Sequence, residues 1–213
     1  MRPRVALVAA LACVGSVIPG VALAFDETAG KERIGVRVGG LATTDGLNDA
    51  YGNGWDLTLF FSEKISRHLL VDVRLGALYL GALKFEDLDD KLTNQHGIEG
   101  SMRILYITIG PMVGRSITTE YSMYASVGAG IYSVSMVFEN AITPFDLSDQ
   151  DFGFNGGMGL ARRLSKNWSL EANATAHYFL ITEDINDLYF AFTDGADAPL
   201  LVEATLGLTV DLR

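Results

Sequence analysis

The sequence predicts an all-β protein, an eight-stranded antiparallel up-and-down transmembrane β-barrel. From residue 33 onward, apolar and polar residues alternate with a period of two in eight segments of about ten residues, the length a tilted membrane strand needs. The connections between these segments alternate between short and long. All five lysines fall outside the predicted strands.

The eight segments each place an apolar face opposite a polar or small one, as strands with one face toward lipid do. The apolar faces include Val36, Leu59, Leu75, Ile107, Val127, Met158, Ala174 and Leu206, one from each segment in chain order. The opposite faces carry mostly Gly, Ser, Thr and Asn, with a few arginines and carboxylates. Small residues suit the narrow interior of an eight-stranded barrel.

The predicted connections differ in length on the two sides of the barrel. Three are short, at 63–67, 115–118 and 165–167, and four are long, at 42–54, 82–100, 138–150 and 181–199. Outer-membrane barrels have short periplasmic turns and long external loops. An even number of strands also returns both chain ends to the periplasmic side.

A soluble barrel with an apolar interior would show the same alternation, so composition has to distinguish lipid from water. A sheet facing water normally carries lysine on its exposed face and edges. Here the lysines fall between the predicted strands, at Lys31, Lys64, Lys84, Lys91 and Lys166. This distribution favours the membrane barrel.

Aromatic residues on the apolar face lie at the ends of the predicted strands. Those next to the long loops are Trp55, Tyr79, Phe154 and Tyr178, and those next to the short turns are Phe61, Tyr121 and Trp168. Trp and Tyr concentrate at the two membrane–water interfaces. The sequence therefore predicts two aromatic girdles around an aliphatic band.

The first 24 residues are predicted to be a cleaved secretory signal peptide, with Arg2 and Arg4 before an apolar stretch and Ala22-Leu23-Ala24 as the cleavage signal. Residues 25–32 are then an N-terminal periplasmic segment and residues 33–213 the barrel. Lipidation of Cys13 is the weaker alternative, because the apolar run continues past it. Since Cys13 is the only cysteine, the mature protein would have no thiol chemistry, and we expect no cofactor.

The net charge of −10 argues against nucleic acid as a partner. The long loops are rich in acids, including the run Glu86-Asp87-Leu88-Asp89-Asp90, whereas the short turns are basic. Solubility alone explains acidic loops. The alternative is that divalent cations bridge their carboxylates to lipopolysaccharide, since hard cations prefer oxygen ligands.

Five charged residues point into the predicted lumen and form a candidate polar network: Arg37, Asp72, Arg74, Glu171 and Glu203. Charges removed from water have to be paired. We interpret the network as a salt-bridge plug that closes the lumen. The alternative is a gate whose pairs exchange to admit small solutes.

The stretch Phe152-Gly-Phe-Asn-Gly-Gly-Met-Gly-Leu160, with Asn167-Trp-Ser-Leu-Glu-Ala172, resembles the outer-membrane β-barrel domain family, which includes the transmembrane domain of outer membrane protein A. The resemblance covers about residues 25–213. It implies the outer membrane of a Gram-negative bacterium, surrounding lipid and lipopolysaccharide, and insertion by the barrel-assembly machinery. The chain departs from the family by ending in Leu212-Arg213 instead of an aromatic residue.

We predict a structural or surface-interaction role, with a narrow channel for small or apolar solutes as the alternative, as the related outer-membrane protein W family suggests. A lipid-modifying enzyme is a remote third possibility. His177-Tyr178 resembles the His-Tyr pair of lipid A deacylases, but Phe179 stands where those enzymes have the nucleophilic serine. We therefore predict that the protein is not an enzyme and has no catalytic or metal site.

Overall fold

The computed structural model describes residues 32–43, 53–65, 69–81, 99–139, 145–179 and 200–212. They form a closed antiparallel barrel in which each strand pairs with the next and β1 pairs with β8. This confirms the predicted fold class. The strands are β1 (Glu32–Thr43), β2 (Gly54–Lys64), β3 (Leu69–Leu80), β4 (Glu99–Ser116), β5 (Tyr121–Glu139), β6 (Phe145–Arg163), β7 (Trp168–Phe179) and β8 (Leu200–Leu212).

The barrel is apolar outside and largely polar at the middle of its interior. Leu75 is 56% exposed on the outer face and Leu206 is 62% exposed, whereas Arg37 and Glu171 inside are 2% and 1% exposed. Each strand achieves this by simple alternation, since successive side chains point to opposite sides of the sheet. A barrel folded for water has the opposite arrangement.

This polarity reverses toward the long-loop end of the barrel. On β5 the outward positions change from apolar Ile131 to Ser133 and Ser135, while the inward Val134 and Met136 are buried. The neighbouring β4 changes in the same way, with Arg103 outward, opposite Ser135. The apolar outer band therefore ends near this level.

The predicted loop at 138–150 is wrong. Strands β5 and β6 continue to pair as far as Phe138 opposite Phe145, so the connection shrinks to residues 140–144. The strands were predicted from an apolar outer face. The extension of β5 and β6 was missed because its outer face is mostly polar.

Three smaller boundaries also differ or stay open. Lys64 is the last residue of β2, so the expectation that every lysine lies outside the strands fails for this one. Strand β1 begins at Glu32, one residue before the predicted start of the barrel. The predicted signal peptide at 1–24 lies outside the described residues. Within the described part of the chain, no helix is long and apolar enough to cross a membrane.

Candidate functional site

The five charged residues predicted for the lumen are all buried, at 1–3% exposure. The structure divides them into three groups instead of one network. Arg37 of β1 pairs with Glu171 of β7, with 2.9 Å between Nη2 and Oε2. Asp72 and Arg74 of β3 pair with each other. Glu203 of β8 lies apart, beside His177 of β7.

The Glu171 carboxylate is the centre of the network on the short-turn side. Its Oε1 accepts hydrogen bonds from Nη2 of Arg33 at 3.0 Å and from the Thr209 hydroxyl at 2.7 Å. Its Oε2 accepts from Nη2 of Arg37 at 2.9 Å and from the Tyr124 hydroxyl at 3.0 Å. Buried charges with this many partners are stabilised in one arrangement.

Two members of this network, Arg33 and Asp211, are absent from the predicted site residues. Arg33 reaches Asp211 of β8 as well as Glu171, with Nε 3.0 Å from Oδ1 of Asp211. Both residues stand in the inward phase of their strands, so the alternation contains the signal. They lie at strand ends, however, where pattern alone does not separate lumen from turn.

Aromatic rings fill the space that glycines leave on neighbouring strands. Tyr124 is directly opposite Gly159 across the β5–β6 pair, and a Cβ on that glycine would overlap the tyrosine ring. Phe60 is opposite Gly35 in the same way, and the Arg37 guanidinium carbon lies 3.9 Å from the centroid of the Phe60 ring. The glycines therefore make room for rings that cover the buried charges.

The second ion pair is supplied by β3 alone. Asp72 and Arg74 are two positions apart, so both side chains point inward from one strand. The Ser62 hydroxyl donates to Oδ1 of Asp72 at 2.7 Å, and Nη2 of Arg74 donates to the hydroxyl of Ser126. The pair thus connects β2, β3 and β5 across the lumen.

Nearer the long loops the lumen is filled by an aromatic layer. The rings of Tyr106 and Tyr132 stack at 5.5 Å between centroids, and Phe179 stacks on Tyr132 at 5.4 Å. His177 lies 5.0 Å from the Tyr106 ring. The expectation of small polar residues in the lumen does not hold at this layer, although both tyrosines stand in the inward phase of their strands.

Polar groups border this layer. The Tyr132 hydroxyl lies 3.1 Å from Nδ1 of His177, whose Nε2 is 3.3 Å from Oε2 of Glu203. The Thr58 hydroxyl donates to Asp56 at 3.0 Å and lies 2.6 Å from the Tyr106 hydroxyl.

The resemblance of His177-Tyr178 to the lipid A deacylase pair does not extend to the next position. Position 179, where lipid A deacylases carry serine, holds the buried ring of Phe179. His177 is fully buried and points into the lumen. Among the described residues, no group of His, Cys, Asp and Glu could hold a metal ion.

The seven aromatic residues predicted for the girdles stand on the outer face, and six of them lie near strand ends. The prediction is wrong for Phe154, which lies at the middle of β6 because that strand begins at Phe145. Trp55 stacks on its cross-strand partner Tyr79 at 5.7 Å between ring centroids. Phe154 is the cross-strand neighbour of Tyr178 in the register of β6 and β7. Their contact with membrane interfaces stays a prediction, as it does for Phe61, Tyr121 and Trp168. Most of the loop acids lie outside the described residues.

No protein-family model matches the chain, and no curated protein matches it. Solved structures do. A major outer membrane protein from Thermus thermophilus matches with a TM-score of 0.57 and 16% identity, covering 84% of this chain and 98% of that one. Neisserial surface protein A gives 0.56 and 10%, covering 86% and 99%. Ail, the attachment invasion locus protein of Yersinia pestis, gives 0.52 and 14%, covering 85% and 98%.

The chain has the fold of the small outer-membrane β-barrels. The resemblance seen in the Gly-rich stretch of β6 and the start of β7 is thereby confirmed for the fold. At 10–16% identity the likeness concerns architecture, and the side chains inside the barrel have to be interpreted from their own contacts.

Proposed function

We propose that the protein spans a bacterial outer membrane as a structural or surface-display barrel with a closed lumen. The observation that carries this proposal is the distribution of polarity. Large aliphatic side chains face outward over the middle of the barrel, while paired charges and hydrogen-bonded polar groups face inward. Such an exterior is stable in lipid, where every backbone polar group of a closed barrel is also satisfied.

The closed lumen is supported by two layers of side chains. On the short-turn side, Arg37, Glu171 and Tyr124 reach across from three strands. On the long-loop side, Tyr106 and Tyr132 stack across the interior. Ion pairs held by several hydrogen bonds and stacked rings both resist rearrangement, which favours a static plug over a gate.

Single-channel recording in planar bilayers tests this role. We expect wild-type protein, Arg37→Ala and Glu171→Gln to conduct close to zero, because the aromatic layer still closes the lumen when one ion pair is lost. Conversely, a large rise in conductance in either variant would support the gate and the narrow channel. Steady wild-type conductance would reject the closed lumen.

Incubation with lipopolysaccharide followed by mass spectrometry tests the enzyme alternative. We expect the lipid to keep its mass, because position 179, where lipid A deacylases have the nucleophilic serine, is Phe179. A loss of acyl groups that depends on His177 would establish an activity and overturn this part of the proposal.

The external partner in this proposal is lipopolysaccharide, bridged to the acidic loops by divalent cations. The acids themselves carry the argument, because the residues between β3 and β4 and between β7 and β8 are rich in Asp and Glu. EDTA should lower the melting temperature of the protein in lipopolysaccharide-containing membranes. An unchanged melting temperature would reject cation bridging, but it would not contradict the proposed membrane barrel.

A further inference from the structure

The outer wall of the barrel is uneven between its two halves. On β5 to β8 an apolar groove of about 570 Å³ opens on the outside, whereas β1 to β4 present mostly large aliphatic residues. The volume lies within the range of small-molecule sites. The groove is floored by small side chains and bordered by larger ones, and its lining includes Ala172, Ala174, Ala204, Met123, Met158 and Leu206.

The register explains why the groove exists at this place. Ala174 of β7 is directly opposite both Met158 of β6 and Ala204 of β8, so small side chains meet across two strands at mid-height. One row nearer the turns, Ala172 is flanked by Leu160 and Leu206. The result is a depression with flexible methionine and leucine sides, which can adapt to an irregular apolar ligand.

Two arginines lie at the short-turn end of this groove, one on each side of β5. Arg115 of β4 is paired with Met123, which lines the groove, and Arg162 of β6 is paired with Tyr121. The Arg162 side chain is exposed, and its guanidinium carbon lies 5.7 Å from the centroid of the Tyr121 ring. The chain has a net charge of −10, so a cluster of positive charge at this end of the groove is unusual for the protein.

We propose that the groove binds an acyl chain of an anionic glycerophospholipid whose phosphate lies between Arg115 and Arg162. The inference rests on the proposed insertion of the barrel in a membrane. Guanidinium groups hold phosphate oxygens through several hydrogen bonds, and an acyl chain follows a narrow apolar groove. The arginines are at the short-turn end, which faces the periplasm, so the lipid belongs to the periplasmic leaflet.

A second copy of the chain fits this wall less well. Two concave faces brought together enclose empty space, and atoms lining a void lose their dispersion contacts. Flexible acyl chains fill such a hollow without leaving a void. Charge also opposes self-association here, because a two-fold contact through this end would bring the arginines of both copies together.

Native mass spectrometry of the folded barrel in detergent, titrated with phosphatidylglycerol or phosphatidylcholine, tests the site. We expect Ala174→Leu and Ala204→Leu to lose the bound phosphatidylglycerol, because both fill the groove. Ala77→Leu is the matched control, since it makes the same change on the outer face of β3 and should bind as wild type does. Equal binding by the filled and control variants would overturn the proposal.

The headgroup is tested separately by charge. The double variant Arg115→Gln/Arg162→Gln should bind phosphatidylglycerol about tenfold more weakly, as expected for the loss of charge-assisted hydrogen bonds, and should no longer prefer it to phosphatidylcholine. Arg103→Gln is the control, because Arg103 faces outward at the opposite end of β4. Displacement of the bound lipid by lipopolysaccharide, or a dimer abolished by Ala204→Leu, would assign the groove to another occupant and reject the proposal.

Insertion into phosphatidylcholine vesicles separates this inference from the proposed function. Protease protection of the strands after insertion would support the membrane barrel whatever the lipid result. If the barrel inserts, but neither the leucine variants nor the arginine double variant changes phosphatidylglycerol binding, only the proposed lipid site is rejected. A barrel that does not insert would defeat the proposed function and the lipid site together.

Discussion

Replacing Glu171 by glutamine removes the central charge of the turn-side network while keeping the shape of the side chain. Five hydrogen bonds reach this carboxylate, from Arg33, Arg37, Tyr124 and Thr209. An amide offers one acceptor oxygen and places its NH₂ against groups that are themselves donors. The variant therefore cannot reproduce the wild-type contacts in either amide orientation.

The loss of stability comes mainly from Arg37. Arg33 keeps its ion pair with Asp211 at 3.0 Å, but the buried charge of Arg37 would face an uncharged amide. Removing one partner of a buried pair typically costs about 3–5 kcal/mol. We expect Glu171→Gln to lower the free energy of unfolding by that amount.

Equilibrium unfolding in urea, with the barrel inserted in lipid vesicles, measures this change through the fluorescence of Trp55 and Trp168. Glu63→Gln is the control, because Glu63 is exposed at the end of β2, and it should stay within about 0.5 kcal/mol of wild type. A loss below about 1 kcal/mol for Glu171→Gln would mean that water already screens the lumen charges. That result would refute the dry, closed interior on which the reasoning depends.

Two further predictions use the same unfolding measurement. Gly159→Ala should cost about 1–3 kcal/mol because its Cβ overlaps the Tyr124 ring, whereas the outward Gly156→Ala should be nearly neutral; equal effects would contradict the ring-over-glycine packing. Leu75→Arg should cost about 2–4 kcal/mol in vesicles. Ser133→Arg, at the edge of the apolar band opposite Leu105, should cost no more than about 1 kcal/mol. Equal tolerance of both arginines would argue that the outer face contacts water.

The length of β5 and β6 could not be predicted from the alternation of apolar and polar residues. Alternation with an apolar outer face located all eight strands, because side chains on a strand point alternately to the two sides of the sheet. On β5 above Ile131 the outward residues Ser133 and Ser135 are polar and the inward residues Val134 and Met136 are apolar, as in a strand whose outer face meets water. The sequence contains this second pattern too, but the choice between strand and loop depends on whether a partner strand pairs there.

The division of the lumen charges shows a different limit. Sequence alone placed Arg37, Asp72, Arg74, Glu171 and Glu203 inside, because their phase is opposite to that of the aliphatic face. It could not tell which carboxylate each arginine meets. Arg37 and Glu171 are 134 positions apart and become neighbours only because β1 closes the barrel against β8, beside β7.

The amino-acid sequence by itself determined the class of this protein, its strand number and the side of the sheet that each residue occupies. These properties follow from a local period of two and from the solvent on each face. Tertiary structure decided the ion pairs, the Tyr106–Tyr132 layer and the groove at Ala174. These depend on the register around the closed barrel, which sets residues from distant strands at the same height.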